Sequence, residues 1–251
     1  MKAVLEAKDL VKTYHKGKSI ITAVNHVSLT IRQGECFGLV GESGSGKSTL
    51  ARMITRLVRP DQGIILLNGR DITQLKGRRL KPVYRTVQMI FQNPRDSFDP
   101  RRTLGDGIME ILKNNGAAKD EAEKQMRDLL STVNLPFDLA LRYPHQVSGG
   151  QCQRAAIARA IAIHPQLVVC DEATSALDVT VQMQIITLLK KLQKERGVSY
   201  LFISHDLALV QAMCARAAVM RQGKIVEQGS ISEVIKHPGS EYTRTLINSA
   251  V

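Results

Sequence analysis

Tryptophan is absent from the 251 residues and aromatics make up only 4%. A core must therefore pack from Leu, Ile, Val and Ala. Apolar residues still reach 43%, enough for one large α/β domain with a smaller subdomain, or for two modest domains. No apolar run reaches the roughly 18 residues that a membrane-crossing helix needs, so the chain is not expected to span a bilayer by itself. Its first residues, Met1–Glu6, lack the apolar core of a signal peptide. Cysteine is scarce. Cys36, Cys152, Cys170 and Cys214 stand far apart without a CxxC pair, which disfavours metal or disulfide use and reads as buried or incidental thiols in a reducing cytosol. Acidic residues are outnumbered 23 to 35, leaving a net charge of +12. That balance fits contact with phosphates, nucleic acid or an anionic membrane without choosing among them. Part of it lies between Arg70 and Arg85, with Lys76, Arg78, Arg79 and Lys81 between. A solvated basic face is the default reading there; a surface near lipid headgroups or a partner subunit is the sharper one.

The patterning is that of an α/β chain. Short apolar or β-branched runs at Val4–Leu10, Ala23–Ile31 and Glu35–Val40, separated by turns at His15–Lys18 and Gln33-Gly34, predict strands. After glycine-rich residues 41–46, Leu50, Met53, Ile54, Leu57 and Val58 share a helical face, closed by Pro60–Gly63. Ile64–Asn68 and Val87–Phe91 read as further strands. Residues 93–103 read as a loop, and most of the chain to residue 163 as helical, with Ala122, Met126, Leu129, Leu130 and Val133 in one stripe. Leu167–Cys170 and Tyr200–Ser204 are continuous apolar runs suited to strands buried on both faces. A helix carrying Val181, Ile185, Leu188, Leu189 and Leu192 lies between them, and another follows from Asp206. Ala217–Met220 and Lys224–Glu227 read as a hairpin, and the tail from Ser232 as helix.

Gly41-Glu42-Ser43-Gly44-Ser45-Gly46-Lys47-Ser48, followed by Thr49, fits GxxxxGK[ST] between a strand and a helix. Its glycines let several backbone N–H groups converge on one anion, and the helix N-terminus adds a positive dipole end. Lys47 should reach the β- and γ-phosphates, and Ser48 should place its hydroxyl on Mg²⁺. Asp171-Glu172 closes a buried strand, where carboxylates are carried towards such a loop. Asp171 would orient Mg²⁺, and Glu172 would polarise an attacking water as general base.

Ser148-Gly149-Gly150-Gln151 opens a helical stretch through Ala155, Ala156 and Ala160. Ser148 and Gln151 have the form of a capping box, which presents a serine hydroxyl and free N–H groups to an anion. With this string the chain resembles the ATP-binding-cassette family over nearly all its length. The resemblance implies an α/β P-loop NTPase (RecA-like) core with an N-terminal antiparallel β subdomain and an inserted α-helical subdomain. It makes residues 1–251 one ATPase domain, with residues 93–160 as the signature subdomain. It implies that Ser148–Gln151 face the γ-phosphate of ATP held by a second subunit. Tyr14 matches the ring placed against adenine. Gln92 matches the glutamine that senses Mg²⁺ and water and links to the membrane subunit. The string Ser175–Asp178, with Asp178, matches the loop across the dimer interface, and His205 the switch histidine on the γ-phosphate. Two departures stand out: Val147 where Leu is usual before the serine, and Cys152 where a basic or polar residue often follows the glutamine.

Phe91–Pro94, Ser97–Arg101, Tyr143–Gln146, Ser175–Val179 and His237–Arg244 resemble the dipeptide, oligopeptide and nickel importer branch. Ending at Val251, without the C-terminal extension of longer peptide-importer motors, tilts this resemblance towards short nickel or metal-chelate motors. The branch implies ATP and Mg²⁺, a second ATPase subunit (the same chain or a different one), two integral-membrane permeases and an extracellular binding protein. The motor would lie on the cytoplasmic face of the inner membrane, with Gln92 to about Arg102 as the permease contact. The alternatives are a soluble ATPase of the same superfamily acting on nucleic acid or ribosomes, disfavoured by the lack of a coiled-coil insertion or second cassette, and an exporter motor.

Overall fold

The computed structural model describes residues 2–17, 19–175 and 177–248. Lys18 of the expected first turn and Ala176 of the Ser175–Asp178 string lie outside them. β1 (Ala3–Lys16) and β2 (Ser19–Arg32) form a long antiparallel hairpin. Both strands run beyond what apolar patterning predicts. Asp9 and His26 sit at φ 53 and 54, and the register shifts between Ala7 and Leu10. Such a bulge breaks the period-two alternation by which strands are read. Residues 19–22 are exposed, so they show no apolar face.

β3 (Cys36–Val40) feeds α1 (Lys47–Ile54). The helix ends earlier than its apolar stripe suggests, since Arg56 adopts φ 60. β4 (Gln62–Leu67) and β5 (Arg70–Asp71) complete an antiparallel sheet ordered β2-β1-β4-β5. Next come α2 (Lys81–Thr86), β6 (Val87–Ile90), α3 (Leu104–Asn114), α4 (Lys119–Thr132), α5 (Gly149–Ile161), β7 (Leu167–Asp171), α6 (Val179–Arg196), β8 (Ser199–Ile203) and α7 (Leu207–Met213). β9 (Arg216–Arg221), β10 (Lys224–Ser230), α8 (Ile231–Lys236) and α9 (Glu241–Asn248) end the described chain. The tail is helical as expected, in two pieces. Pro238 and Gly239 fall between them, and proline cannot continue a helix.

The second sheet is ordered β10-β9-β3-β8-β7-β6 and is parallel apart from the β9–β10 pair. Every residue of β3, β7 and β8 is buried. Alternation assigns their side chains to two cores. Leu39, Val169 and Ile203 pack with α1 and the antiparallel sheet; Val40, Cys170 and Phe202 pack with the helices. Each such Leu, Val, Ile or Phe contributes about 1.5–3 kcal/mol by leaving water.

Between β6 and β7 the described chain holds only helices and turns, and we propose residues 93–160 as the helical insert. Its last helix, α5, reaches back to touch β6. All four cysteines are free and buried, and Cys36 Sγ lies 2.9 Å from Cys214 Sγ, a neighbourhood the sequence spacing hides. The basic residues from Arg70 to Arg85 are exposed and form no ion pair among the described residues.

Candidate functional site

The parallel strands carry several polar residues to one edge of the sheet. β3 ends at Val40, and the loop that follows turns on glycines. Gly46, at φ 107, caps α1, and a Cβ built there would collide with the backbone carbonyl of Ala23. A backbone carbonyl cannot swing aside. Gly46→Ala should weaken nucleotide binding by roughly tenfold or more, given about 1–3 kcal/mol of strain for such a backbone. Titration with a fluorescent nucleotide checks it; an unchanged Kd removes Gly46 from the cradle.

Lys47 is 4% exposed. Its ammonium donates to the loop's own carbonyls, Gly41 O and Glu42 O, both at 2.7 Å. Burial pushes the Lys47 pKa down, while Glu172, Asp171 and Glu42 pull it back. Ser48 Oγ donates to Asp171 Oδ1 at 3.0 Å. Burial raises the Asp171 pKa, the Ser48 bond lowers it, and the adjacent Glu172 raises it further. Hydroxyl and carboxylate together are hard oxygen donors. They fit Mg²⁺, which takes one or two protein oxygens and completes its shell with phosphate and water.

Glu172 follows β7 at φ 48. Its Oε2 accepts from Gln92 Nε2 at 2.8 Å and lies 3.8 Å from His205 Nδ1. β6, β7 and β8 thereby bring residues 80 and 33 positions apart onto one carboxylate. Ala23, Ser43, Gly44, Gly46, Lys47, Ser48, Thr49, Gln92 and Glu172 line one open cleft of about 230 Å³.

Other expected site residues stand outside that cleft. Ser148 caps α5: Gln151 N–H donates to Ser148 Oγ at 3.2 Å, and Ser148 N–H to Gln151 Oε1 at 3.0 Å. This is the capping box read from the sequence. Ser148 and Gly149 are exposed, and none of Ser148–Gln151 lines the cleft. Asp178 caps α6 by accepting from Val181 N–H at 2.9 Å, a local task that the spacing of Ser175–Asp178 does not reveal. Tyr14 is 40% exposed, with Lys12 Nζ 5.5 Å from its ring centre, and does not line the cleft. Cys152 is fully buried, and burial pushes its thiol up to about 11. It packs in the helical core, as a structural thiol does.

Sequence reading missed the braces behind the loop. Gly223 N–H donates to Ser45 O at 2.9 Å, and Glu42 N–H donates to Tyr242 Oη at 3.1 Å. Neither partner belongs to a nucleotide-site string, and only the fold brings them near.

Comparison with known proteins places this geometry. The family model described as ABC transporter matches residues 24–175. The chain is similar to the oligopeptide transport ATP-binding protein OppF of Streptococcus mutans, 45% identical over 99% of this chain and 82% of that protein. It is equally similar to the dipeptide transport ATP-binding protein DppF of Lactococcus lactis, 46% identical over 99% of this chain and 81% of that one. Among solved structures, the dimeric post-hydrolysis state of the ATP-binding cassette MJ0796 bound to ADP and Pi superposes with a TM-score of 0.83. It is 30% identical and covers 90% of this chain and 98% of its own.

Proposed function

The chain belongs to the ABC transporter family, and on that premise we propose that it is the ATP-hydrolysing motor subunit of a bacterial importer for peptides. The observation that carries this is the single carboxylate of Glu172, held by Gln92 and flanked by His205 at the mouth of the Lys47 cleft. The peptide reading is favoured over nickel or a metal chelate because the relatives above bear peptide names.

In this reading the loop N–H groups and Lys47 bind the β- and γ-phosphates. Ser48 and Asp171, with Gln92 close by, would hold Mg²⁺, which supplies positive charge against the phosphates. Glu172 accepts a proton from the attacking water. Gln92 fixes the carboxylate by donating to it, and His205, near the same oxygen, contacts the γ-phosphate. Tyr14 stacks on the adenine.

Ser148–Gln151 serve a second subunit's nucleotide. Support comes from the exposure of Ser148 and Gly149 outside the cleft and from the dimeric form of MJ0796. Ser148→Arg is expected to leave ATP affinity of the isolated chain within twofold while lowering ATPase of the assembled motor by tenfold or more. The lost helix cap accounts for only about 1 kcal/mol of stability. Weakened binding in the isolated chain, or undiminished ATPase in the assembly, would count against the split site.

The partners in this proposal are a second ATPase subunit, two permeases and an extracellular binding protein. The chain docks on the cytoplasmic face of the inner membrane, through Gln92 to about Arg102, with Asp178 at the interface between motors. No helix among the described residues is long and apolar enough to cross a membrane. Reconstitution with permeases and binding protein tests the whole reading. Peptide-loaded binding protein should stimulate ATPase, whereas stimulation by a metal-loaded one alone would move the cargo to metal.

A further inference from the structure

The peptide group joining Gly41 to Glu42 is gripped from both sides. Its carbonyl oxygen accepts from Lys47 Nζ at 2.7 Å, and its N–H donates to Tyr242 Oη at 3.1 Å. A peptide group is planar, so turning one end turns the other. The orientation that Tyr242 imposes on the N–H is therefore also the orientation that receives Lys47.

Tyr242 is itself packed in place. It is 6% exposed in the helical core, and the Arg221 guanidinium carbon stands 4.7 Å from its ring centre. The turn before its helix α9 is tied to β10. Glu227 carboxylate oxygens accept from Gly239 N–H at 2.9 Å and Ser240 N–H at 3.1 Å. From the neighbouring hairpin, Gly223 N–H holds Ser45 O at 2.9 Å. The β9–β10 hairpin and α9 thus form a brace that meets the phosphate loop at two backbone groups.

We propose that Tyr242 is a positioning residue for the nucleotide site. Its hydroxyl sets the Gly41–Glu42 plane, and through it the resting place of Lys47 and the shape of the cradle. Without the hydroxyl the loop samples more conformations, and ATP must order it on binding. The cost falls on affinity and not on the chemical step, because neither Tyr242 nor Glu42 N–H touches Glu172, Gln92 or His205.

The test is Tyr242→Phe, which keeps the ring and its Arg221 contact. A lost hydrogen bond of ordinary net strength raises KM for ATP by about threefold to tenfold. At saturating ATP, kcat stays within twofold, and deuterium exchange at the Glu42 amide becomes faster. An unmoved KM, or a fall in kcat and melting temperature with no change in amide exchange, overturns the proposal, since that pattern belongs to a purely structural residue. The inference rests on the ATP-binding role proposed above, and the wild type separates the two. Absence of saturable ATP binding in wild type removes that role. Wild-type binding with an unmoved KM in Tyr242→Phe removes only this one.

Discussion

Glu172→Gln is expected to lower ATP turnover by about two to three orders of magnitude, the range of a lost general base, while ATP affinity stays within twofold. The backbone explains why the loss should be confined to chemistry. Glu172 occupies φ 48, a left-handed position that costs a non-glycine residue about 1–3 kcal/mol. Three hydrogen bonds hold it there. Its N–H donates to Ile203 O at 3.0 Å, and its carbonyl accepts from Ser175 N–H at 3.1 Å and Ser175 Oγ at 3.0 Å. None involves the carboxylate, so the amide variant keeps the same backbone. Glutamine has the same shape and can still accept from Gln92, but it cannot take a proton from water. ATP should then bridge the subunits without being cleaved. Size-exclusion chromatography with ATP should show a persistent dimer, and phosphate release should be nearly absent. Turnover at the wild-type rate would sink the assignment.

The parts of this site that could be read from sequence are those encoded within a few residues. The run from Gly41 to Ser48 carries its own turn chemistry. Ser148 and Gln151 sit at capping distance along one helix start. Leu167–Cys170 announces a buried strand with acids at its end. Pairings across the sheet were not legible. Gln92 meets Glu172 because β6 and β7 are parallel neighbours in register from Val87 with Leu167 to Ile90 with Cys170. No periodicity within either segment states that. The left-handed turn at Glu172 was equally hidden: Ser175 holds its carbonyl locally, but its N–H is held by Ile203 on the adjacent strand. Tyr242 lies in the His237–Arg244 string, but its contact with the loop was hidden by the strongest form of the same reason: its partner is 200 residues away. Fold errors share this origin. β1 and β2 extend past their predicted ends because strand pairing carries them through bulges at Asp9 and His26 that erase the alternation. Asp178 shows a different limit. A residue resembling an interface loop also caps α6, and composition cannot separate the two tasks.

Lys47→Ala should produce the opposite kinetic signature to Glu172→Gln, with binding lost before chemistry is reached. Lys47 is a buried cation with no ion pair among the described residues. Its partners are neutral oxygens of its own loop, and burial holds its pKa below the usual lysine value. Carrying that charge costs the empty protein free energy, because neutral carbonyls compensate a desolvated ammonium only in part. Phosphate oxygens are the better partner. Charge-assisted hydrogen bonds contribute about 1.5–3 kcal/mol each, so their loss should weaken ATP binding by roughly tenfold to more than a hundredfold. The free protein responds differently. Alanine leaves a small void and two carbonyls without their donor, but it also removes the buried charge. These terms oppose each other, and the melting temperature without nucleotide should move little. The difference appears on adding Mg-ATP. Ligand that binds only the folded state raises the melting temperature of wild type by mass action, and the variant should show almost none of that rise. An equal nucleotide-induced shift in both proteins would mean that Lys47 rests on the loop carbonyls for structural reasons alone, and would take it out of the phosphate site.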